Sequence, residues 1–157
     1  MQVFLCHSST DKPVVTEIYH WLRVQGFWPW LDVESLVPGQ DWAYEIHRAI
    51  YESGVVVVLL SQESVTRTGF VQREIRVALD AALERPEDQV FVIPARLEPC
   101  AVPLRLRHLH TVDLFVQGGY DRLLNGLNVA RRTTLTGGDG TYDAMLAMTQ
   151  WVMGMLM

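Results

Sequence analysis

The chain has 157 residues, of which 49% are hydrophobic and 20% are charged, a composition typical of one folded domain and unlike that of a disordered protein. Its formal net charge of −5, without any run of Lys or Arg, argues against a nucleic-acid-binding surface. Two cysteines, Cys6 and Cys100, are too few for a disulfide scaffold, and we expect Cys6 to be a reduced thiol in a buried strand.

The first seven residues lack the basic start and apolar run of a secretion signal. The longest apolar run, Val55 to Leu60, has the length of a strand and is too short to span a bilayer. We therefore expect a cytoplasmic protein that does not contact a membrane.

Five short apolar runs alternate with helical patterns along the chain. The runs are Val3–Cys6, Trp28–Leu31, Val55–Leu60, Val90–Ile93 and Thr111–Phe115. The first helical pattern begins near Asp11 and Pro13 and ends at Gly26. Three more run from Trp42 to Ser53-Gly54, from Phe70 to Leu83, and from Tyr120 to Ala130. The connection 94–108 contains three prolines and predicts a loop with at most a short helical turn.

This alternation predicts an α/β fold, a doubly wound parallel sheet with right-handed crossovers. Ligands of such sheets bind beyond the carboxyl ends of the strands. The segments that follow the first three strands, 7–9, 32–42 and 61–70, are therefore expected to converge on one crevice.

The C-terminal part of the chain differs in composition from the rest. We expect residues 1–132 to form the domain and residues 133–141, rich in Thr and Gly, to form a linker. Residues 142–157 are apolar and hold five of the six methionines, but as a helix they would be too short to cross a membrane. This tail is predicted to be a docking helix or the start of a further domain.

One carboxylate in the third helical pattern stands out. Glu74 falls about 80° from the middle of the predicted apolar face, and Phe70 lies one turn before it on the same flank. The face consists of Val71, Ile75, Ala78, Leu79 and Ala82. A carboxylate that half-faces a core loses solvation unless a charge or a hydrogen bond compensates. A snorkelling Glu paired with an Arg is the structural alternative, and for this pattern alone it is the commoner one.

Two loops carry polar groups toward the predicted crevice. The small hydroxyl residues of His7-Ser8-Ser9-Thr10 are able to donate to phosphate or ribose oxygens, although their spacing alone favours simple helix capping by Ser9, Thr10 or Asp11. The long segment 32–42 contains Asp32 and Glu34 at alternate positions and a Pro-Gly turn, a pattern typical of a moving gate or an interaction edge.

Together these segments resemble the TIR domain family over about Gln2 to Ala130. Val-Phe-Leu-Cys-His-Ser-Ser-Thr-Asp-Lys, from residue 3 to residue 12, is close to the bacterial form of the first motif of that family. Trp-Leu-Asp-Val-Glu-Ser-Leu followed by Pro-Gly-Gln-Asp-Trp, ending at Trp42, resembles its BB loop. Phe-Val-Gln-Arg-Glu, ending at Glu74, takes the place of its Trp-x-x-x-Glu motif.

The resemblance implies the TIR fold, a flavodoxin-like doubly wound five-stranded parallel sheet with helices on both faces. It also implies NAD⁺ glycohydrolase or cyclase activity that releases nicotinamide and leaves ADP-ribose or a cyclised ADP-ribose, in a bacterial anti-phage effector activated by self-assembly. NAD⁺ would be the substrate, with no cofactor and no metal. The alternative is a non-catalytic assembly or adaptor module that binds other TIR domains.

The resemblance assigns roles to individual residues. Glu74 would be catalytic and Pro38 and Gly39 would form the assembly loop, while the substrate-binding candidates are His7, Ser8, Ser9, Asp32, Trp42 and Phe70. Phe70 departs from the usual Trp and keeps an aromatic face but not the indole N–H. The implied partners are NAD⁺, other TIR domains in a homo-oligomer or filament, and a fused or associated sensor domain reached through the tail.

Two other readings of the sequence are weaker. His108 and His110 have the spacing of a strand face that binds metal, but without a Cys or carboxylate cluster we expect surface histidines. A phosphorylated receiver of similar fold needs acidic residues after the first and third strands, where this chain has His7-Ser8-Ser9 and Ser61-Gln62.

Overall fold

Five parallel strands and five helices alternate along the described part of the chain. The computed structural model describes residues 1–31, 36–66 and 70–136. The strands are β1 (Gln2–Cys6), β2 (Trp28–Trp30), β3 (Val55–Leu60), β4 (Val92–Arg96) and β5 (Val112–Asp113). The helices are α1 (Lys12–Val24), α2 (Trp42–Glu52), α3 (Gln62–Thr66), α4 (Phe70–Leu83) and α5 (Gly119–Thr136). The strand order β2-β1-β3-β4-β5 confirms the predicted doubly wound sheet.

Alternation along the strands sends successive side chains into two separate cores. In β1, Leu5 packs with α1 and α5 on one face, while Phe4 and Cys6 pack with α2 and α4 on the other. β1 lies between β2 and β3, so the chain changes direction across the sheet at this strand. Crevices form at such a switch point, beyond the carboxyl ends of β1 and β3.

Local capping explains where the helices begin and end. The Asp41 carboxylate caps α2 by accepting hydrogen bonds from the N–H groups of Ala43 at 3.1 Å and Tyr44 at 3.3 Å. Pro13 lies in the first turn of α1, and Gly26 follows that helix with a φ of +86°. These helix boundaries confirm the prediction, and the predicted 70–83 helix is observed with those bounds.

The fourth strand lies further along the chain than predicted. We expected it at 90–93 with Pro94 opening a loop, whereas β4 is Val92–Arg96. Proline is tolerated inside this strand because its missing N–H would point to the β5 side. There, β5 pairs only with Ala95 and Arg96, so no hydrogen bond is lost at Pro94. A 3-10 turn at Leu104–Leu106 is the short helical turn expected in the connection that follows.

The C-terminal helix is longer than predicted. We expected the helix to end at Ala130 and a linker to begin at residue 133. Instead, α5 continues to Thr136, four residues into the expected linker. The Thr133 and Thr134 hydroxyls are bonded to the Ala130 carbonyl at 3.1 Å and 2.8 Å, an arrangement that the helix backbone accommodates. Residues 137–157, with the predicted tail, lie outside the described residues.

Two further expectations need correction. His108 and His110 were placed on a strand, but they are exposed and precede β5, which contains only Val112 and Asp113. The short helix α3 was not predicted, because five residues are too few for a helical hydrophobic period.

No helix within 1–31, 36–66 or 70–136 combines the length and apolar character needed to cross a bilayer.

Candidate functional site

Glu74 is buried beneath the carboxyl end of β1. Its side chain is only 3% exposed, and Oε2 accepts a hydrogen bond from the Cys6 thiol with an Sγ–O distance of 3.2 Å. Cys6 is the last residue of β1, and its side chain is completely buried. The position of Glu74 therefore depends on both α4 and the end of β1.

The orientation of α4 differs from the one that hydrophobicity predicted. The helix buries Ile75, Ala78 and Ala81 almost completely, while Leu79 is only partly buried. Glu74 lies about 40° from the middle of these three residues and not 80°. The small side chains of Ala78 and Ala81 allow this face to approach the sheet, and Glu74 turns inward with it.

The polar residues after β1 divide into buried and exposed groups. His7 and Ser8 are 5% and 4% exposed, whereas Ser9 begins an exposed 3-10 turn. His7 Nδ1 lies 3.1 Å from the Leu5 carbonyl oxygen, and the Ser8 hydroxyl lies 3.0 Å from that of Thr10. His7 and Ser8 thus lie at the expected end of β1, with polar atoms engaged by near neighbours in sequence.

A hydrogen-bond cluster joins the loop after β1 to the loop after β3. The Ser61 hydroxyl donates to Asp11 Oδ2 at 2.6 Å and accepts from the Ser64 N–H at 3.1 Å. The Ser64 hydroxyl in turn accepts from the Ser61 N–H at 2.8 Å and donates to its carbonyl oxygen at 3.1 Å. Sequence reasoning missed this cluster, although Asp11 and Ser61 both follow strands that flank the switch point.

The exposed turn at 37–40 precedes α2. Gly39 has a φ of +93°, and the Gln40 N–H donates to the Val37 carbonyl oxygen at 3.1 Å, features of a type II turn with Pro38 at its second position. Trp42 begins α2 and is half exposed. The predicted assembly loop and the Trp42 candidate therefore both present surface to solvent.

Two of the predicted site residues, Asp32 and Phe70, lie wholly or partly outside the described part of the chain. Asp32 lies outside the described residues, as does Glu34 beside it. Phe70 is the first residue of α4, and its side chain is not among those described. Their roles rest on the sequence.

Two hollows on the described part of the domain lie away from Glu74. One hollow of about 180 Å³ is bordered by Gln2 at the start of β1 and by α2, and another of about 410 Å³ lies along α5 between residues 125 and 132. Neither is lined by Glu74, His7 or Ser8. Within the described ranges, no cluster of three or more His, Cys, Asp or Glu side chains has the arrangement of a metal site.

Comparison with protein families identifies the domain. A model of the TIR domain matches residues 3–125, which spans all five strands. The chain belongs to the TIR domain family. An uncharacterized protein of Sinorhizobium fredii, y4cD, is 34% identical to this TIR domain over 134 residues, 83% of this chain and 20% of the relative. The chain thus spans a fifth of the length of that curated relative.

Solved structures share the fold of this TIR domain. The TIR domain of a Toll-related receptor from Hydra magnipapillata aligns with a TM-score of 0.67 and 20% identity, covering 80% of this chain and 97% of that one. A CMP N-glycosidase from Clostridium botulinum aligns at 0.54 with 18% identity, covering 80% and 98%. The TIR domains of the activated Roq1 resistosome align at 0.55 with 19% identity, covering 98% of both chains.

Proposed function

We propose that this TIR domain cleaves the nicotinamide–ribose bond of NAD⁺, giving nicotinamide and ADP-ribose or a cyclised ADP-ribose. The observation that carries the proposal is the Glu74 carboxylate, held at the carboxyl end of β1 with 3% of its side chain exposed. Carboxylates buried beside the switch point of a doubly wound sheet are strong candidates for chemistry, because burying them without a function costs free energy.

One carboxylate is sufficient for this reaction. The nicotinamide ring of NAD⁺ is cationic, and when the bond from its nitrogen to ribose C1′ breaks, the electron pair leaves with neutral nicotinamide. No acid is needed to protonate the leaving group. The ribose becomes an oxocarbenium ion, which a nearby negative charge stabilises. Water then attacks C1′ and loses a proton to solvent, or an unprotonated ring nitrogen of adenine attacks C1′ through its lone pair.

The burial of Glu74 supports activation by assembly. A side chain with so little exposure cannot reach a substrate in the isolated domain without local movement. Packing of a second copy against the exposed turn at Pro38 and Gly39 would supply the free energy for such a movement, as ligands shift populations by differential binding. The proposed partners are therefore further copies of this chain, in an oligomer or filament.

The structural neighbours support the same proposal at the level of the fold. One neighbour is named as an N-glycosidase acting on CMP, so this architecture accommodates cleavage of an N-glycosidic bond. Another is described as part of an activated resistosome that directly recognizes a pathogen effector. We extend the proposal to an effector role in defence against phage, with the activity produced by clustering.

The test is nicotinamide release from NAD⁺ by protein that is forced to cluster through a fused oligomeric tag. We expect turnover from the wild type and at least a hundredfold loss in Glu74→Gln, which keeps the shape and removes the charge. Glu84→Gln is the matched control, because Glu84 is an exposed carboxylate just beyond the same helix. Equal release by wild type and Glu74→Gln would refute the proposal, and CMP in parallel assays tests the competing N-glycosidic substrate.

A specific surface favours the adaptor alternative. Val37, Trp42 and Tyr44 surround the exposed turn and are 62%, 50% and 63% exposed. Exposed apolar surface of this kind is typical of protein–protein contacts. Binding of another TIR domain that survives Glu74→Gln, in protein that releases no nicotinamide, would establish the adaptor function instead.

A further inference from the structure

The carboxylate of Glu74 meets a thiol at the end of β1. Cys6 Sγ lies 3.2 Å from Glu74 Oε2 and 4.0 Å from the Val71 carbonyl oxygen, one helical turn earlier. An ionised carboxylate only accepts hydrogen bonds, so the thiol is the donor in this pair. Both side chains are buried, where a hydrogen bond is stronger than in water.

We propose that Cys6 is a positioning residue for Glu74, and this inference rests on the proposed NAD⁺-cleaving function. The S–H group holds one carboxylate oxygen at a fixed place relative to β1. Cys6 touches neither substrate nor reacting atoms; it acts through Glu74.

The position of Cys6 in the sheet makes this role specific. β1 pairs with β3 in register, with Cys6 opposite Val58, so the backbone that carries the thiol is anchored between β2 and β3. Its side chain belongs to the apolar cluster on the α2 and α4 face of the sheet. A thiol is the smallest departure from an apolar side chain that still donates a hydrogen bond, so it fits this core with little desolvation cost.

Two conservative variants separate positioning from packing. Cys6→Ala removes the donor and leaves a small cavity, whereas Cys6→Ser keeps a donor at nearly the same place. Cys100→Ala is the matched control, because Cys100 is the second buried cysteine of the same apolar cluster. Thermal unfolding of all three variants measures their loss of stability separately from their loss of activity.

Clustered protein is assayed for kcat and KM with NAD⁺. We expect Cys6→Ala to lower kcat about tenfold with KM within about twofold, and Cys6→Ser to recover most of kcat. Cys100→Ala should match the wild type even where its unfolding temperature falls by the same amount. Full kcat in Cys6→Ala, or equal losses in the Ala and Ser variants, would overturn the positioning role while leaving the Glu74→Gln result intact.

The hydrogen bond has a readout that does not depend on activity. The S–H stretching band of Cys6, recorded in the Cys100→Ala background so that one thiol contributes, is expected at lower frequency than in the same protein carrying Glu74→Ala. An unshifted band would show that the hydrogen bond between Cys6 and Glu74 is absent and would overturn the inference. If wild type and Glu74→Gln release nicotinamide equally, the proposed function fails first, and a positioning role for Cys6 fails with it whatever the band shows.

Discussion

Ser61 donates a hydrogen bond of 2.6 Å to Asp11, 50 residues earlier in the chain. Asp11 precedes α1, and Ser61 directly follows β3, so the contact joins the two loops that border the switch point of the sheet. Because the acceptor is a carboxylate, the bond is charge-assisted and stronger than one between neutral groups. This side-chain pair therefore links the segments that follow β1 and β3 directly.

Removing the Ser61 hydroxyl should destabilise the domain. Ser61→Ala deletes the donor to Asp11 and the acceptor of the buried Ser64 N–H, and we expect a loss of about 2 kcal/mol in the free energy of unfolding. Thr66→Ala is the control, since its exposed hydroxyl bonds only to carbonyls of its own helix. It should change stability by less than about 0.5 kcal/mol in urea titrations. Equal effects would show that the Asp11 contact contributes nothing.

Two tryptophans near the site should respond differently to truncation. Trp30 stacks on Phe4 with ring centroids 5.1 Å apart and is partly buried, so Trp30→Ala should cost about 3 kcal/mol of stability. Trp42 is half exposed, and Trp42→Ala should cost about 1 kcal/mol or less. If Trp42 contacts substrate as proposed, its loss lowers clustered NAD⁺ turnover about tenfold in a domain of near wild-type stability. Unchanged turnover would remove Trp42 from the site.

The exposed turn offers a test of assembly. Gly39 has a φ of +93° with open space around its Cβ position, so Gly39→Ala introduces backbone strain of about 1 kcal/mol without a clash. Gly118, with a φ of +81° and equally open surroundings, lies before α5 and is the matched control. We expect Gly39→Ala, and more strongly Gly39→Pro, to reduce clustering measured by light scattering. Gly118→Ala should leave it unchanged at the same cost in stability, and equal clustering in both would exclude the turn.

The ion pair between Arg96 of β4 and Asp113 of β5 should make the stability of the domain depend on pH. Arg96 Nε and Nη2 donate to the two carboxylate oxygens of Asp113 at 2.6 Å and 2.7 Å, and this hydrogen bonding holds the pKa of Asp113 below its ordinary value of 3.8. A carboxyl group whose pKa is lower in the folded than in the unfolded state stabilises the fold. This stabilisation is complete above the unfolded-state pKa and is lost as the pH falls through the folded-state pKa. The pair therefore contributes at neutral pH and fades below about pH 4.

Asp113→Asn is the variant that measures this contribution. It should lower the free energy of unfolding by about 1 kcal/mol at pH 7, and the difference from the wild type should shrink as the pH is lowered below about 4. Urea titrations across that range provide the measurement. A difference that stays constant with pH would mean that the interaction is not one of charge.

The sequence predicted the architecture well because hydrophobic period and capping residues act locally. The continuous run at 55–60 is β3 without change, and Asp41 caps α2 where the pattern begins. Errors appear where local signals compete with tertiary pairing. Pro94 resembled a loop residue but sits in β4, since only the absence of a partner strand at that point makes its missing N–H harmless.

The candidate site was only partly predictable. The helical periodicity of the sequence identified Glu74 as a carboxylate beside the predicted apolar face. It did not predict the rotation of α4 that buries Glu74 together with Ala78 and Ala81. The contact between Cys6 and Glu74 joins residues 68 apart, and no local pattern encodes such a pair. His7 and Ser8 were placed correctly at the strand end, because the polarity changes there in the sequence itself.

The pairing of β1 with β3 has a consequence for the chemistry of α4. Side chains of β1 alternate between two faces, so a slip of one residue would replace Cys6 beneath Glu74 by Leu5 or His7. An apolar side chain there would leave the carboxylate without its sulfur partner, and an imidazole would give it a potential counter-ion. Insertion or deletion of a single residue between Met1 and Cys6 would therefore alter the reactivity of a residue in a different helix without changing any residue of that helix.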